Sequence, residues 1–224
     1  MKLLIGHKKY SSWSLRPWLV AKHAGVDFSE INVELYSPQG TELLKQYSPS
    51  LKVPVLIEGD LIVHDSLAIC EYLAERHPYL WPQDAQMRAL ARSATAEMHS
   101  GFGALRSYWG MDITLQVRHH ADLPRSVTQD IARIETIWQT CRKEHAALGP
   151  WLFGRWSIAD AFFAPIVLRF ASYGWQSPEN LCRQYRHTWL EDAHLQQWIA
   201  EAQAETWRIA SYDAVGSIQN MFST

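Results

Sequence analysis

Residues 53–72 read VPVLIEGDLIVHDSLAICEY, and this stretch decides how the first part of the chain folds. Proline has no N–H to give a sheet ladder, so it belongs at sheet edges or at a strand's first residue. Pro54 therefore opens the strand-like run Val55-Leu56-Ile57. Glu58-Gly59-Asp60 is turn chemistry, and Leu61-Ile62-Val63 returns as a second strand. After His64 the pattern changes. Asp65-Ser66 precedes Leu67, Ile69-Cys70 and Tyr72-Leu73, apolar positions at helical spacing, and one of those two polar residues caps the helix.

Outward from this hairpin, Lys2–Gly6 reads as a short apolar strand followed by a polar loop, His7–Ser12. A helix is expected from Ser14 as N-cap, with Pro17 tolerated in its first turn and Gly25 as its C-cap. Residues 31–35, Ile-Asn-Val-Glu-Leu, alternate as a half-buried strand, and 40–47 form a short helix ended by Ser48-Pro49-Ser50. The order β-α-β-α-β-β-α implies a small mixed sheet with helices on its faces. Beyond Trp81-Pro82-Gln83-Asp84 only helical periodicities remain, at 86–118, 124–147, 157–173 and 190–204. The expected organisation is an α/β domain over 1–81 and an all-α bundle over 86–224.

The totals narrow the function. Of 224 residues, 47% are apolar and 20% charged, with a formal net charge of −2 and no basic run. Neither nucleic acid nor an anionic membrane is an expected partner. Three cysteines, Cys70, Cys141 and Cys182, fit no disulfide framework or zinc knuckle, so no metal is expected and a reducing compartment is. The N-terminus lacks the apolar core of a signal peptide, and a cytoplasmic protein is expected. Most of the eleven tryptophans follow residue 80, which suggests a core or cleft rich in aromatic surface.

Two features of the hairpin carry chemistry. An X–Pro bond takes the cis form for about 0.5–1 kcal/mol. A cis Val53–Pro54 would leave the backbone of Val53 available to an extended peptide, in the manner of strand addition; the alternative is a proline that merely ends a loop. At the hairpin's exit, the start of the Asp65-Ser66 helix offers unpaired N–H groups to a carboxylate. Ser66 can donate to the same carboxylate and Asp65 can accept from an ammonium; the alternative is a helix cap and nothing more.

The segment KVPVLIEGDLIVHDSLAICEYL resembles the glutathione-binding half of the cytosolic glutathione transferases, whose first domain is thioredoxin-like. Tyr10-Ser11-Ser12-Trp13-Ser14-Leu15-Arg16 is similar to the serine-bearing loop of the zeta and tau classes, and Gly154–Asp160 to the family's second-domain capping motif. The resemblance implies glutathione as co-substrate and a homodimer. It places Val53 against the cysteinyl backbone beside a cis Pro54, and Asp65 and Ser66 at the γ-glutamyl end. Gln39 and Lys52 go to the glycyl end. Ser11, five residues before Arg16, is implied as the catalytic hydroxyl, with Ser12 as its neighbour or substitute.

The chemistry for such a serine stands on its own. A free thiol titrates near about 8.5, so little thiolate exists at neutral pH. Lowering that value by ~2 units takes about 2.7 kcal/mol. One charge-assisted hydrogen bond of about 1.5–3 kcal/mol, helped by a helix N-terminus, supplies it. No cysteine lies in 7–18, which disfavours disulfide exchange. Ser157-x-x-Asp160 reads as a capping box. The electrophile is expected between the domains, near Phe102, Arg106, Trp109 and Arg169; Arg169, a charge in an otherwise apolar helix, either meets an acidic substrate there or pairs with a nearby carboxylate. His119-His120 reads as solvated surface rather than a metal pair, because adjacent helical residues diverge.

Departures bear on the reaction. Trp13 stands where zeta members carry a cysteine, and Gly103 and Ser107-Tyr108-Trp109 differ from their pattern. The expected activity is conjugation of glutathione to an apolar or aromatic electrophile. The alternatives are a zeta-type isomerase, which would not consume glutathione, and a non-catalytic interaction module.

Overall fold

The computed structural model describes residues 1–117 and 122–209. His119 and His120 lie outside the described residues.

A four-stranded mixed sheet forms the first layer: β1 (Lys2–Ile5), β2 (Ser29–Asn32), β3 (Val55–Glu58) and β4 (Leu61–Val63). The order is β2-β1-β3-β4, with β1 parallel to β2 and antiparallel to β3, and β3 antiparallel to β4. The hairpin read from 53–63 is present, with Gly59 supplying the positive φ of its turn. Side chains alternate across the pleat. Leu3, Ile5 and Leu56 join the main core, while Leu4, Val33 and Val55 form a small cluster on the opposite face. There they meet Leu43, Leu44 and Tyr47 of α2 (Pro38–Tyr47). α1 (Ser12–His23) and α3 (Ser66–Arg76) pack together on the main-core side.

Several boundaries differ from the sequence reading, three of them close to the seam between the layers. Ser11 rather than Ser14 caps α1, accepting from Ser14 N, so the helix starts earlier and Pro17 lies beyond its first turn. Strand β2 ends at Asn32, not 35. Only Val33 N–H continues the ladder, to Ile5 O, and Tyr36 then turns the chain at φ +68°. The helix expected over 86–118 is two: α4 (Ala85–Ser100) and α5 (Gly103–Tyr108), separated by Phe102 in the left-handed region at φ +59°.

Among the described residues the further α-helices are α6 (Arg125–His145), α7 (Ile158–Ser172), α8 (Asn180–Leu190), which the sequence reading did not expect, and α9 (Ala193–Ala204). Helix α7 is buried along almost its whole length and packs on α4, α8 and, across the seam, α1. The tryptophan-rich half of the sequence supplies this interior: Trp109, Trp138, Trp189 and Trp198 are all fully buried. Together the layers make a thioredoxin-like domain followed by a helical one.

Candidate functional site

A cleft of about 720 Å³ opens at the seam. One wall is the loop Tyr10–Trp13 leading into α1, with Leu51, Lys52 and Val53 beside it; the other is Gly103, Arg106 and Ser107 of α5 with Arg169 of α7. Gly6 lies directly beneath this wall. A Cβ there would stand 2.8 Å from Leu35 Cδ1 and 3.1 Å from Val53 Cγ2, so glycine permits the loop to close over β1.

Three serines shape the first wall. Ser11 and Ser12 line the cleft and are nearly buried. Ser11 Oγ accepts from Ser14 N at 3.3 Å and donates to Ser14 Oγ at 2.8 Å; Ser14 Oγ in turn accepts from Gly6 N at 3.1 Å. A hydroxyl proton rotates to suit its partners. With the 2.8 Å bond reversed, Ser14 donates and Ser11 turns its own proton to the cleft. Its oxygen then accepts twice, which strengthens it as a donor. Ser12, the first residue of α1, places a second hydroxyl on the same wall.

At the hairpin's mouth, Ser48 Oγ donates to Lys52 O at 2.7 Å and accepts from Lys52 N at 3.1 Å, fixing the turn before Val53. The Val53–Pro54 peptide is cis, as is His64–Asp65. Lys52 is exposed and lines the cleft; Gln39, in the first turn of α2, is exposed and does not. Asp65 caps α3 through Leu67 N at 3.0 Å and Ala68 N at 3.3 Å. Ser66 is buried, and its Oγ has no partner. A buried hydroxyl without a partner is the kind of group a bound ligand satisfies. Neither Asp65 nor Ser66 is in the cleft wall; Trp13 and His99 stand between, with Trp13 lining the cleft and its ring edge-on to His99 at 5.4 Å.

The facing wall is cationic. Arg106 and Arg169 both line the cleft. Arg169 Nε donates to Trp109 O at 2.8 Å, and its Nη1 donates to Pro165 O at 3.3 Å. Behind Trp13 lies Arg16, whose guanidinium is 4.3 Å from the Trp13 ring and 4.7 Å from that of Phe162. Burial lowers Arg16 to about 9, and the charges of Arg169 and Arg106 act in the same direction. Three guanidinium groups thus bear on one region, and they favour an anion there.

Two residues expected at the electrophile are packing residues. Trp109 is fully buried and stacked on Tyr173, with centroids 5.2 Å apart. Phe102 is also buried and outside the cleft wall. Both expectations assumed one continuous helix, and the left-handed turn at Phe102 breaks that face. The sequence reading missed Trp13 and His99 as site residues. His99 stands in no motif, Trp13 was read only as a departure within the serine-bearing loop, and their contact crosses 86 residues of sequence.

Residues 10–76 match the family model described as glutathione S-transferase, N-terminal domain. A probable maleylacetoacetate isomerase of Caenorhabditis elegans is 37% identical over 98 residues, covering 43% of this chain and 45% of that protein. The chain therefore matches less than half the length of that relative. The maleylacetoacetate isomerase of Rattus norvegicus is 29% identical over 165 residues, 70% of this chain and 71% of that protein. A glutathione transferase homologue from Burkholderia, solved with bound glutathione, superposes with a TM-score of 0.67 at 23% identity, over 91% of this chain and 98% of that one. A thioredoxin-like sheet joined to a helical bundle, with a serine-bearing cleft at the seam, defines a transferase-type fold. Residues 10–76 are thus matched to the N-terminal domain of the glutathione S-transferases, and the whole chain shares their fold.

Proposed function

We propose that the protein binds reduced glutathione in the seam cleft and adds its thiolate to a small electrophile bearing a carboxylate. The observation that carries this is the pairing across one cleft of the Ser11 hydroxyl, at the N-terminus of α1, with Arg106 and Arg169. In this reading the thiol gives its proton to solvent, and the sulfur anion accepts a hydrogen bond from Ser11 while the start of α1 adds partial positive charge. The arginines hold the electrophile's carboxylate and stabilise negative charge that develops as the carbon–sulfur bond forms. Val53, Pro54 and Lys52 flank the peptide, with Gln39 toward its glycyl end and Asp65 and Ser66 at its γ-glutamyl end. These placements extend the family resemblance.

Identity to maleylacetoacetate isomerases favours a second outcome of the same first step. Thiolate adds to a cis carbon–carbon double bond, the resulting single bond rotates, and loss of the thiolate returns glutathione and the trans product. The chemistry is common to both readings up to the adduct. The arginine wall supports an acidic substrate in either case, a narrowing of the apolar electrophile expected from sequence.

Steady-state assays with glutathione and either a cis-enone carboxylic acid or an uncharged chloronitroarene test the proposal. Turnover of the acid is expected, and Arg106→Gln should raise its KM by about tenfold, the loss of one charge-assisted hydrogen bond. Constant glutathione during turnover identifies the isomerase; its stoichiometric loss identifies the conjugating enzyme. Failure to bind glutathione at millimolar concentration overturns the reading.

A further inference from the structure

The seam also carries a pair that the scheme above does not use. His99, in the last turn of α4, places Nε2 2.9 Å from Asp65 Oδ2. Asp65 Oδ1 is already directed at the Leu67 and Ala68 amides. Both oxygens of this carboxylate are therefore oriented, one by its own helix and the other from the opposite domain. The imidazole is itself held, edge-on to Trp13 at 5.4 Å and 5.9 Å from Phe162. Its Nδ1 is buried without a hydrogen-bond partner, an arrangement that suits a ring carrying one proton, on Nε2.

We propose that His99 is a positioning residue for the γ-glutamyl end of glutathione: its Nε2–H fixes the Asp65 carboxylate toward the ligand's ammonium, and protonation of the ring removes that attraction. The inference rests on the reading of glutathione as ligand and Asp65 as its contact. Three charged groups face the ring: Asp65 on α3, Arg16 on α1 and Arg106 on α5. Burial is the largest influence and lowers the ring's affinity for a proton; the two arginines add to it, and Asp65 opposes. The ring is therefore neutral at neutral pH, where it leaves the full charge of Asp65 to an ammonium. An imidazolium would neutralise Asp65 and repel the same ammonium. Affinity should fall as pH drops through the ring's titration, below its ordinary value of 6.5. By linkage, a bound ammonium should depress that titration further.

The test measures binding of S-methylglutathione, whose sulfur cannot ionise, by calorimetry from about pH 5 to pH 7.5, spanning the ordinary imidazole range. Wild type should lose about tenfold in affinity across that range, a shift of one unit in a linked group. His99→Gln keeps an N–H donor and cannot become charged; it should match wild type at neutral pH and stay flat. His99→Phe fills the space without a donor and should bind more weakly at every pH. An analogue lacking the γ-glutamyl amine should show none of these differences. A wild-type pH profile in His99→Gln, or an equal loss with the amine-free analogue, overturns the assignment while leaving the glutathione reading intact. If wild type does not bind S-methylglutathione at neutral pH, both fall. Should His99→Phe fail to fold, the comparison of wild type with His99→Gln still decides.

Discussion

The fold and the proposed site make competing demands on the one hydroxyl of Ser11. As N-cap it accepts from Ser14 N, and its proton reaches Ser14 Oγ. In the proposed site that proton goes to sulfur, with Ser14 donating in its place. Ser11→Ala should then raise the thiol pKa of bound glutathione by about 1–2 units, since a charge-assisted bond is worth about 1.5–3 kcal/mol. Pairing one oxygen fewer, Ser14→Ala should give a smaller rise in the same direction, and Ser12→Ala less still. Ultraviolet titration of the bound thiolate reads all three; equal shifts for Ser11→Ala and Ser12→Ala would move the role to the α1 N-terminus as a whole. The sequence showed that a serine in this loop is suited to the task. It did not show which serine caps the helix, because Ser11, Ser12 and Ser14 are each competent caps, and only in the folded chain does Ser14 N go to Ser11 while the Ser14 hydroxyl is taken by Gly6 N. Trp109 was misread for a related reason: one residue in an unusual backbone state, Phe102, turns every later side chain on that face.

Among the elements, α7 was the most legible, and its start explains why. Ser157-x-x-Asp160 forms the capping box read from sequence, with Ser157 N and Ser157 Oγ donating to Asp160 Oδ2 at 2.9 and 3.0 Å. The structure adds what spacing could not reveal: Asp160 Oδ1 also accepts from Leu152 N at 3.0 Å and from the Tyr185 hydroxyl at 3.1 Å, joining α8 and the 151–155 turn to the cap. Asp160→Ala strands these buried donors and removes the cap, so a loss of about 2–4 kcal/mol is expected in urea denaturation, with glutathione affinity unchanged. A normal midpoint in that variant would refute the assignment. A pH dependence follows as well. Burial raises the Asp160 carboxyl to about 6 against the pull of its four donors, above an unfolded value of about 3.9. The folded state therefore binds a proton that the unfolded chain has released, and this group's contribution to stability declines as pH rises from about 4 to about 6. The decline amounts to about 3 kcal/mol. Asp160→Asn cannot titrate, and its stability relative to wild type should improve across that window.

At the scale of the molecule, the two secondary-structure grammars legible in the sequence conceal a single core. One hydrophobic cluster runs from Leu3 and Ile5 of the sheet through Trp18 and Leu19 of α1 to Phe162, Trp189 and Trp198 of the helical domain. Helix α1 belongs to both halves: Trp18 meets Trp198 edge-on at 5.2 Å, and Arg16 lies over Phe162. The C-terminal end of α9 closes the same seam. Glu205 accepts from Lys8 N at 2.8 Å and Lys9 N at 3.2 Å, Trp198 Nε1 donates to Lys8 O at 2.9 Å, and the Lys8 ammonium pairs with Glu30 at 2.7 Å and with Glu201. No local pattern could disclose contacts spanning about 190 residues, whose partners meet only after both layers have formed. Their consequence is cooperativity. Cutting the chain after residue 81 would uncover one side of α1, and each large apolar side chain returned to water costs about 1.5–3 kcal/mol. A handful of these matches the whole stability of a small domain, ~5–15 kcal/mol. The isolated 1–81 fragment should therefore be largely unfolded by circular dichroism and amide exchange, and the intact chain should lose near- and far-ultraviolet signals in one coincident urea transition. Two separated transitions, or a fragment with protected β1 and β3 amides, would mean that the sheet carries its own stability and that α1 needs no cover from α7 and α9.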